Sequence, residues 1–166
     1  MDRRIPFSDL AVWPYLSLYL FVPAGPFLLG RRNQILRYAA GIILISLVAD
    51  IIFIFWPTTC PRPVVSDANA AYQALTAVDN TFHAFPSLHA AFAVYAALST
   101  RLILRELGGR GGWQFAIWLW VFMILYATLA SKQHVLADII AGSALGIGVY
   151  AVVFNQGKPI AKGKPS

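Results

Sequence analysis

The stretch ILRYAAGIILISLVADIIFIFW, residues 35–56, decides the fold of this chain. Its only charged side chains are Arg37, close to one end, and Asp50. A helix of this length reaches about 33 Å at 1.5 Å per residue, enough to cross the roughly 30 Å hydrocarbon core of a bilayer. Comparable apolar runs occupy residues 10–29, 86–104, 113–131 and 134–154. In lipid a spanning backbone must satisfy its own polar groups, so runs of this length predict helices. The expected fold is all-α, a polytopic transmembrane helix bundle of about five membrane helices. Residues 30–34, a longer loop at 57–85, residues 105–112 and a tight turn near Lys132 connect them. Residues 1–154 read as one membrane-embedded domain, and the Lys-rich residues 155–166 as a short basic tail.

Composition agrees. Of 166 residues, 58% are hydrophobic and 12% charged, about half the roughly 25% charged fraction of a soluble domain. An ordinary soluble fold is excluded, and the lipid bilayer is the first expected partner. The formal charge is +6, but the 13 Lys and Arg lie between apolar runs and at the ends. They form no basic stripe with exposed stacking platforms, so no nucleic acid partner is expected. The lone cysteine, Cys60, excludes an intramolecular disulfide framework and a Cys-rich zinc site. The run 10–29 is followed by Gly30-Arg31-Arg32 where a secretory signal would have a small-residue cleavage site, so it reads as a retained span. The sequence leaves the oligomeric state unknown.

The scarce charge is sorted by side. Arg31, Arg32, Arg37, Arg101, Arg105, Arg110, Lys158, Lys162 and Lys164 fall on one face, and Arg3, Arg4, Arg62 and Lys132 on the other. Because cytoplasmic loops carry the excess of Lys and Arg, the C-terminus is expected in the cytoplasm, with the loop 57–85 and the Lys132 turn outside. Trp13, Trp56 and Trp113 fall near span ends, where interfacial anchors belong. Gly142, Gly146 and Gly148 with Ala144 give the last span a small-residue face suited to close helix packing.

The outer side also collects the polar residues capable of chemistry. His134 and Asp138 stand four apart, which on a helix places both on one face. A carboxylate there can hold the imidazole in one tautomer and leave its other nitrogen as a nucleophile, or the pair can simply join helices. In Phe85-Pro86-Ser87-Leu88-His89, Pro86 can open a helix whose free amides attract phosphate. Ser87 would add a hydroxyl and His89 a proton-transfer group, although a capped helix start with an incidental histidine reads the same way. Arg62, in the proline-stiffened segment 57–63, can clamp phosphate oxygens or contact lipid headgroups, and Lys132 carries the same two readings. Asp50 within a span and His83 in the loop are further polar residues, held outside the catalytic set.

Together these segments resemble the type 2 phosphatidic acid phosphatase superfamily, over roughly residues 51–148. Its signatures are a lysine seven residues before Arg-Pro, then Pro-Ser-Gly-His, then Ser-Arg followed after five residues by His-x-x-x-Asp. Arg62-Pro63 matches the end of the first, Pro86-Ser87-Leu88-His89 the second with Leu88 for glycine, and His134 with Asp138 the third. The family's lysine position falls on Phe55, and its Ser-Arg pair on Ala127-Thr128. The Phe-Pro-Ser-Leu-His form, the Pro-Arg segment and Thr128 look closer to the branch that includes inositol phosphorylceramide synthases.

The resemblance implies a membrane lipid phosphatase needing no cofactor or metal, acting on a lipid phosphate or pyrophosphate at the outer leaflet. His134 would attack phosphorus and form a phosphohistidine, Asp138 would stabilise its imidazolium, and His89 would protonate the departing alkoxide. Arg62, Ser87 and Lys132 would hold the nonbridging oxygens. Two alternatives stand beside it: a phosphotransferase passing phosphate or a phosphorylated headgroup to an alcohol, and a noncatalytic lipid-binding protein, motivated by the absent cations.

Overall fold

The structure, a computed structural model, describes residues 5–27, 31–63, 65, 68–79, 82–106, 108 and 111–155. Arg3, Arg4, Arg110, Lys158, Lys162, Lys164 and all but the first residue of the expected tail lie outside the described residues.

The chain is a helical bundle. A 3-10 turn at Asp9–Ala11 leads into α1 (Val12–Leu16) and α2 (Leu18–Phe27), followed by α3 (Arg32–Phe55), α4 (Ala70–Val78), α5 (Leu88–Glu106), α6 (Gly111–Ala130) and α7 (Leu136–Asn155). Among the described residues, extended pairing amounts to one isolated bridge between Thr59 and Phe82. Among the described residues, four segments are long and apolar enough to cross a membrane: Asp9–Phe27, Arg32–Phe55, Gly111–Ala130 and Leu136–Phe154. Leu20, Phe27, Ile54, Phe55 and Phe115 stand exposed on these helices, as lipid-facing side chains should.

The fifth expected span, α5, is long enough but less apolar, and its position explains why. It packs against α2, α3, α6 and α7, and Ala90, Ala91, Ala93, Tyr95, Ala96, Ala97 and Ser99 on it are fully buried. A helix surrounded by protein needs small side chains for close neighbours more than it needs lipophilic ones.

Two expectations need correction. The run 10–29 supplies a span over Asp9–Phe27 as expected, but its helix is interrupted at Ser17, between α1 and α2. There the Ser17 hydroxyl donates to the Pro14 carbonyl at 2.6 Å, competing with the backbone for that acceptor. The Trp120 indole donates to Ser17 Oγ at 2.9 Å and ties the break to α6. The loop 57–85 also contains α4. Asn69 caps it, accepting the Tyr72 amide at 2.9 Å, while its own amide donates to the Asp9 carboxylate at 2.9 Å. Tyr72 is buried, its ring 5.1 Å from Phe7, so α4 packs against the N-terminal segment at one end of the bundle.

Helices α5 and α7 meet most closely at glycine. A Cβ on Gly142 would collide with the Ser87 carbonyl oxygen, and one on Gly146 would stand 2.5 Å from the Ala91 carbonyl oxygen, whereas Gly148 faces open space. The expected small-residue face is thus real at Gly142 and Gly146. In detergent, Gly142→Ala is expected to lower the thermal unfolding midpoint, with overpacking costing about 1–3 kcal/mol. Gly148→Ala should leave that midpoint unchanged.

Candidate active site

The site is assembled from the starts of α5 and α7 and the segment that follows α3. Ser87 caps α5: its Oγ accepts the Ala90 amide at 3.3 Å, and the helix begins at Leu88, two residues after Pro86. The Ser87 amide donates to the Asp138 carbonyl at 3.0 Å, fastening α5 to α7.

His134 does not lie on a helix, as its spacing from Asp138 suggested; it precedes α7, delivered by the turn that ends α6. Lys132 adopts a left-handed φ of 59°, and the Lys132 and Gln133 amides bond back to the Leu129 and Thr128 carbonyls at 3.1 Å each. This is a Schellman closure with Lys132 at the left-handed position. Tyr72 supports the turn from above. Burial raises its phenol above the usual tyrosine value, against a smaller opposing pull from Arg62, so the neutral hydroxyl donates to the Ser131 carbonyl at 3.3 Å.

Asp138 performs two tasks. Its Oδ2 accepts the Val135 amide at 3.1 Å, capping α7, and lies 3.5 Å from His134 Nδ1. That nitrogen also lies 3.0 Å from the Ala84 carbonyl oxygen. A carbonyl only accepts, so Nδ1 carries the proton and Nε2 keeps its lone pair. Ala84 is held in place by Thr58, whose carbonyl takes the His83 and Ala84 amides at 3.0 and 3.3 Å and whose Oγ1 takes the Phe85 amide at 2.8 Å.

His89 faces His134 with ring centroids 5.8 Å apart. Both line a cavity of about 310 Å³ together with Arg62, Asp79, Asp50, His83 and Gln133. Arg62 donates to the Asp79 backbone carbonyl at 2.7 Å and to its carboxylate at 3.2 Å. The expected set thus splits. His134, His89, Asp138 and Arg62 converge at the cavity or against the groups lining it. Ser87 is fully buried and engaged as a cap. The Lys132 ammonium donates to the Ile5 carbonyl, and neither residue is among those lining the cavity.

The positions where the family pattern has further cations supply none. Phe55 points off the bundle, and Thr128 is fully buried with its hydroxyl on the Leu125 carbonyl at 2.7 Å. Conversely, the cavity contains Asp79 and Gln133, and Tyr15 contacts both Asp79 and His89. Tyr15 carries no local signal, because an aromatic residue near Trp13 in an apolar run reads as an interfacial anchor. Asp79 lies in the 57–85 segment within no recognisable motif. No group of three or more His, Cys, Asp or Glu is placed to hold a metal ion among the described residues.

Two facing imidazoles, one held with a free Nε2 lone pair, beside a guanidinium are groups whose chemistry suits phosphoryl transfer. The chain matches the PAP2 superfamily over residues 34–160 and belongs to it. Its fold is similar to that in the crystal structure of Aquifex aeolicus LpxE, with a TM-score of 0.64 and 20% identity, covering 88% of this chain and 86% of that one. A search of curated proteins found none that matches. Family and fold together support a multi-pass membrane phosphatase of the PAP2 type.

Proposed function

We propose that the protein hydrolyses a lipid phosphate or pyrophosphate at the outer leaflet through a phosphohistidine on His134. The observation that carries this reading is His134 itself, its Nδ1 engaged by Ala84 and Asp138 and its ring turned toward His89 across the cavity. His134 Nε2 attacks phosphorus, the bond to the alkoxide breaks, and His89 gives that oxygen its proton. Asp138 stabilises the positive charge left on the His134 ring. Water then attacks the phosphohistidine, transferring its proton to His89, and the bond to Nε2 breaks to release inorganic phosphate. Arg62 and the free amides at the start of α5 hold the nonbridging oxygens, as capped helix termini do for anions. Ser87 and Lys132 serve by orienting the α5 terminus and the His134 turn. The chemistry is assigned to protein side chains alone. The lipid chain stays beside α3, where Ile51, Ile52, Phe55, Trp56 and Phe85 surround an apolar hollow of about 480 Å³.

A second reading, transfer to an alcohol instead of water, is favoured by the carboxylates of Asp50 and Asp79 in the same cavity, which can accept hydrogen bonds from an acceptor's hydroxyls. The product separates the two, since inorganic phosphate means hydrolysis and a new phosphate ester means transfer.

Purified protein should release phosphate from a panel of lipid monoesters and pyrophosphates, with chelator having no effect. His134→Ala should abolish turnover, and His89→Ala should slow it about 10²–10⁴-fold, the range of a lost general acid. Activity surviving His134→Ala contradicts the mechanism, and inactivity on every ester with either acceptor contradicts both enzyme readings.

The sidedness rests on Arg31, Arg32, Arg37, Arg101 and Arg105 lying toward the end of the bundle opposite the cavity. With Cys60 replaced by alanine, a cysteine introduced at the exposed Gln73 should react with an impermeant maleimide on intact cells, and one at the exposed Arg105 only after permeabilisation. The reverse pattern would move the site to the inner leaflet.

A further inference from the structure

Tyr15 is fully buried between two groups far from it in sequence. Its hydroxyl lies 3.0 Å from Asp79 Oδ2 and 3.4 Å from His89 Nδ1. The phenol and imidazole rings lie 4.3 Å apart at 30°, so packing as well as polarity fixes the imidazole plane. A phenol has one proton, and an ionised carboxylate can only accept. The proton therefore goes to Asp79, and the oxygen turns a lone pair toward His89. That lone pair requires a proton on Nδ1, which leaves Nε2 as the nitrogen that exchanges protons with substrate.

We propose that Tyr15 and Asp79 are positioning residues for His89, a relay that fixes its tautomer and supports its imidazolium during proton donation. The inference rests on the assignment of His89 as the acid and base of the reaction. It makes the two histidines parallel in construction, each held at Nδ1 by an acceptor and each presenting Nε2. In the first half-reaction the Nε2–H bond of the His89 imidazolium breaks, its proton passes to the departing alkoxide and its electron pair remains on nitrogen. The neutral ring keeps its Nδ1 proton on the Tyr15 oxygen throughout. In the second, attacking water returns a proton to Nε2. Because Asp79 also binds Arg62, one carboxylate ties the proton donor to the cation in the cavity.

The discriminating variant is Tyr15→Phe, which keeps the ring and removes the oxygen. It should be assayed on dioleoyl phosphatidic acid, whose alkoxide leaves only with a proton, and on p-nitrophenyl phosphate, whose phenolate leaves without one. The kcat for phosphatidic acid should fall at least about 10-fold with KM changed less than about 2-fold, while the aryl ester keeps its rate, as expected when only proton donation is weakened. Equal losses on both substrates, or no loss on either, would overturn the relay. Nitrogen-15 NMR of histidine-labelled wild-type protein in micelles gives a test independent of activity and of the variant's folding. The neutral His89 ring should carry its proton on Nδ1, and a proton on Nε2 would refute the assignment. His134→Ala measured alongside separates the two claims: turnover there defeats the phosphohistidine mechanism, whereas an inactive His134→Ala with a fully active Tyr15→Phe defeats the relay alone.

Discussion

The hydrogen bond from the Ser87 amide to the Asp138 carbonyl, 3.0 Å long, fixes the distance between the starts of α5 and α7, and the site depends on it. Lipid supplies no hydrophobic force to press two helices together, so their contact has to come from packing and directional bonds. Gly142 and Gly146 remove the side chains that would hold the backbones apart, and the Ser87 bond sets the register. His89 then emerges from the first turn of one helix and His134 from the residue pair preceding the other, facing across the gap. The same region satisfies its own helix termini, with Ser87 capping α5 and Asp138 capping α7. The caps and the candidate catalytic groups are neighbours because both belong at helix starts.

Charge is scarce in this chain and its placement is economical. Arg62 is bound to both the carbonyl and the carboxylate of Asp79, Lys132 holds the N-terminal segment through Ile5, and Asp138 stands against His134. Arg62 and the start of α5 both border the cavity. His134 is held through specific acceptors, Ala84 and Asp138, because an imidazole left to choose its tautomer would present the wrong nitrogen part of the time.

Much of this was legible in the sequence, and the parts that were not share a cause. The spans are written in the composition because lipid demands long apolar runs. His89, His134, Asp138 and Arg62 are legible because each sits in a short local pattern. What the sequence hid depends on distant residues. The break at Ser17 is fixed by a local hydroxyl and by Trp120 on another helix. The α4 segment is too short to announce itself and is ordered through Asn69 on Asp9. The partners of Ser87 and Lys132 were hidden for the same reason, since local spacing shows that a polar group is near the site but not which group it faces. Tyr15 is 74 residues from the histidine it touches, and no local pattern could join them.

The most direct measurement is chemical trapping of the intermediate. Protein mixed with a lipid phosphate carrying radiolabelled phosphorus, quenched within one turnover in alkaline denaturant and digested, should carry label on the peptide containing His134. The bond should be stable to base and lost in acid, as a phosphorylated imidazole is, and His134→Ala should carry none. Label on another residue, or turnover with no labelled protein at any quench time, would contradict a phosphohistidine at His134.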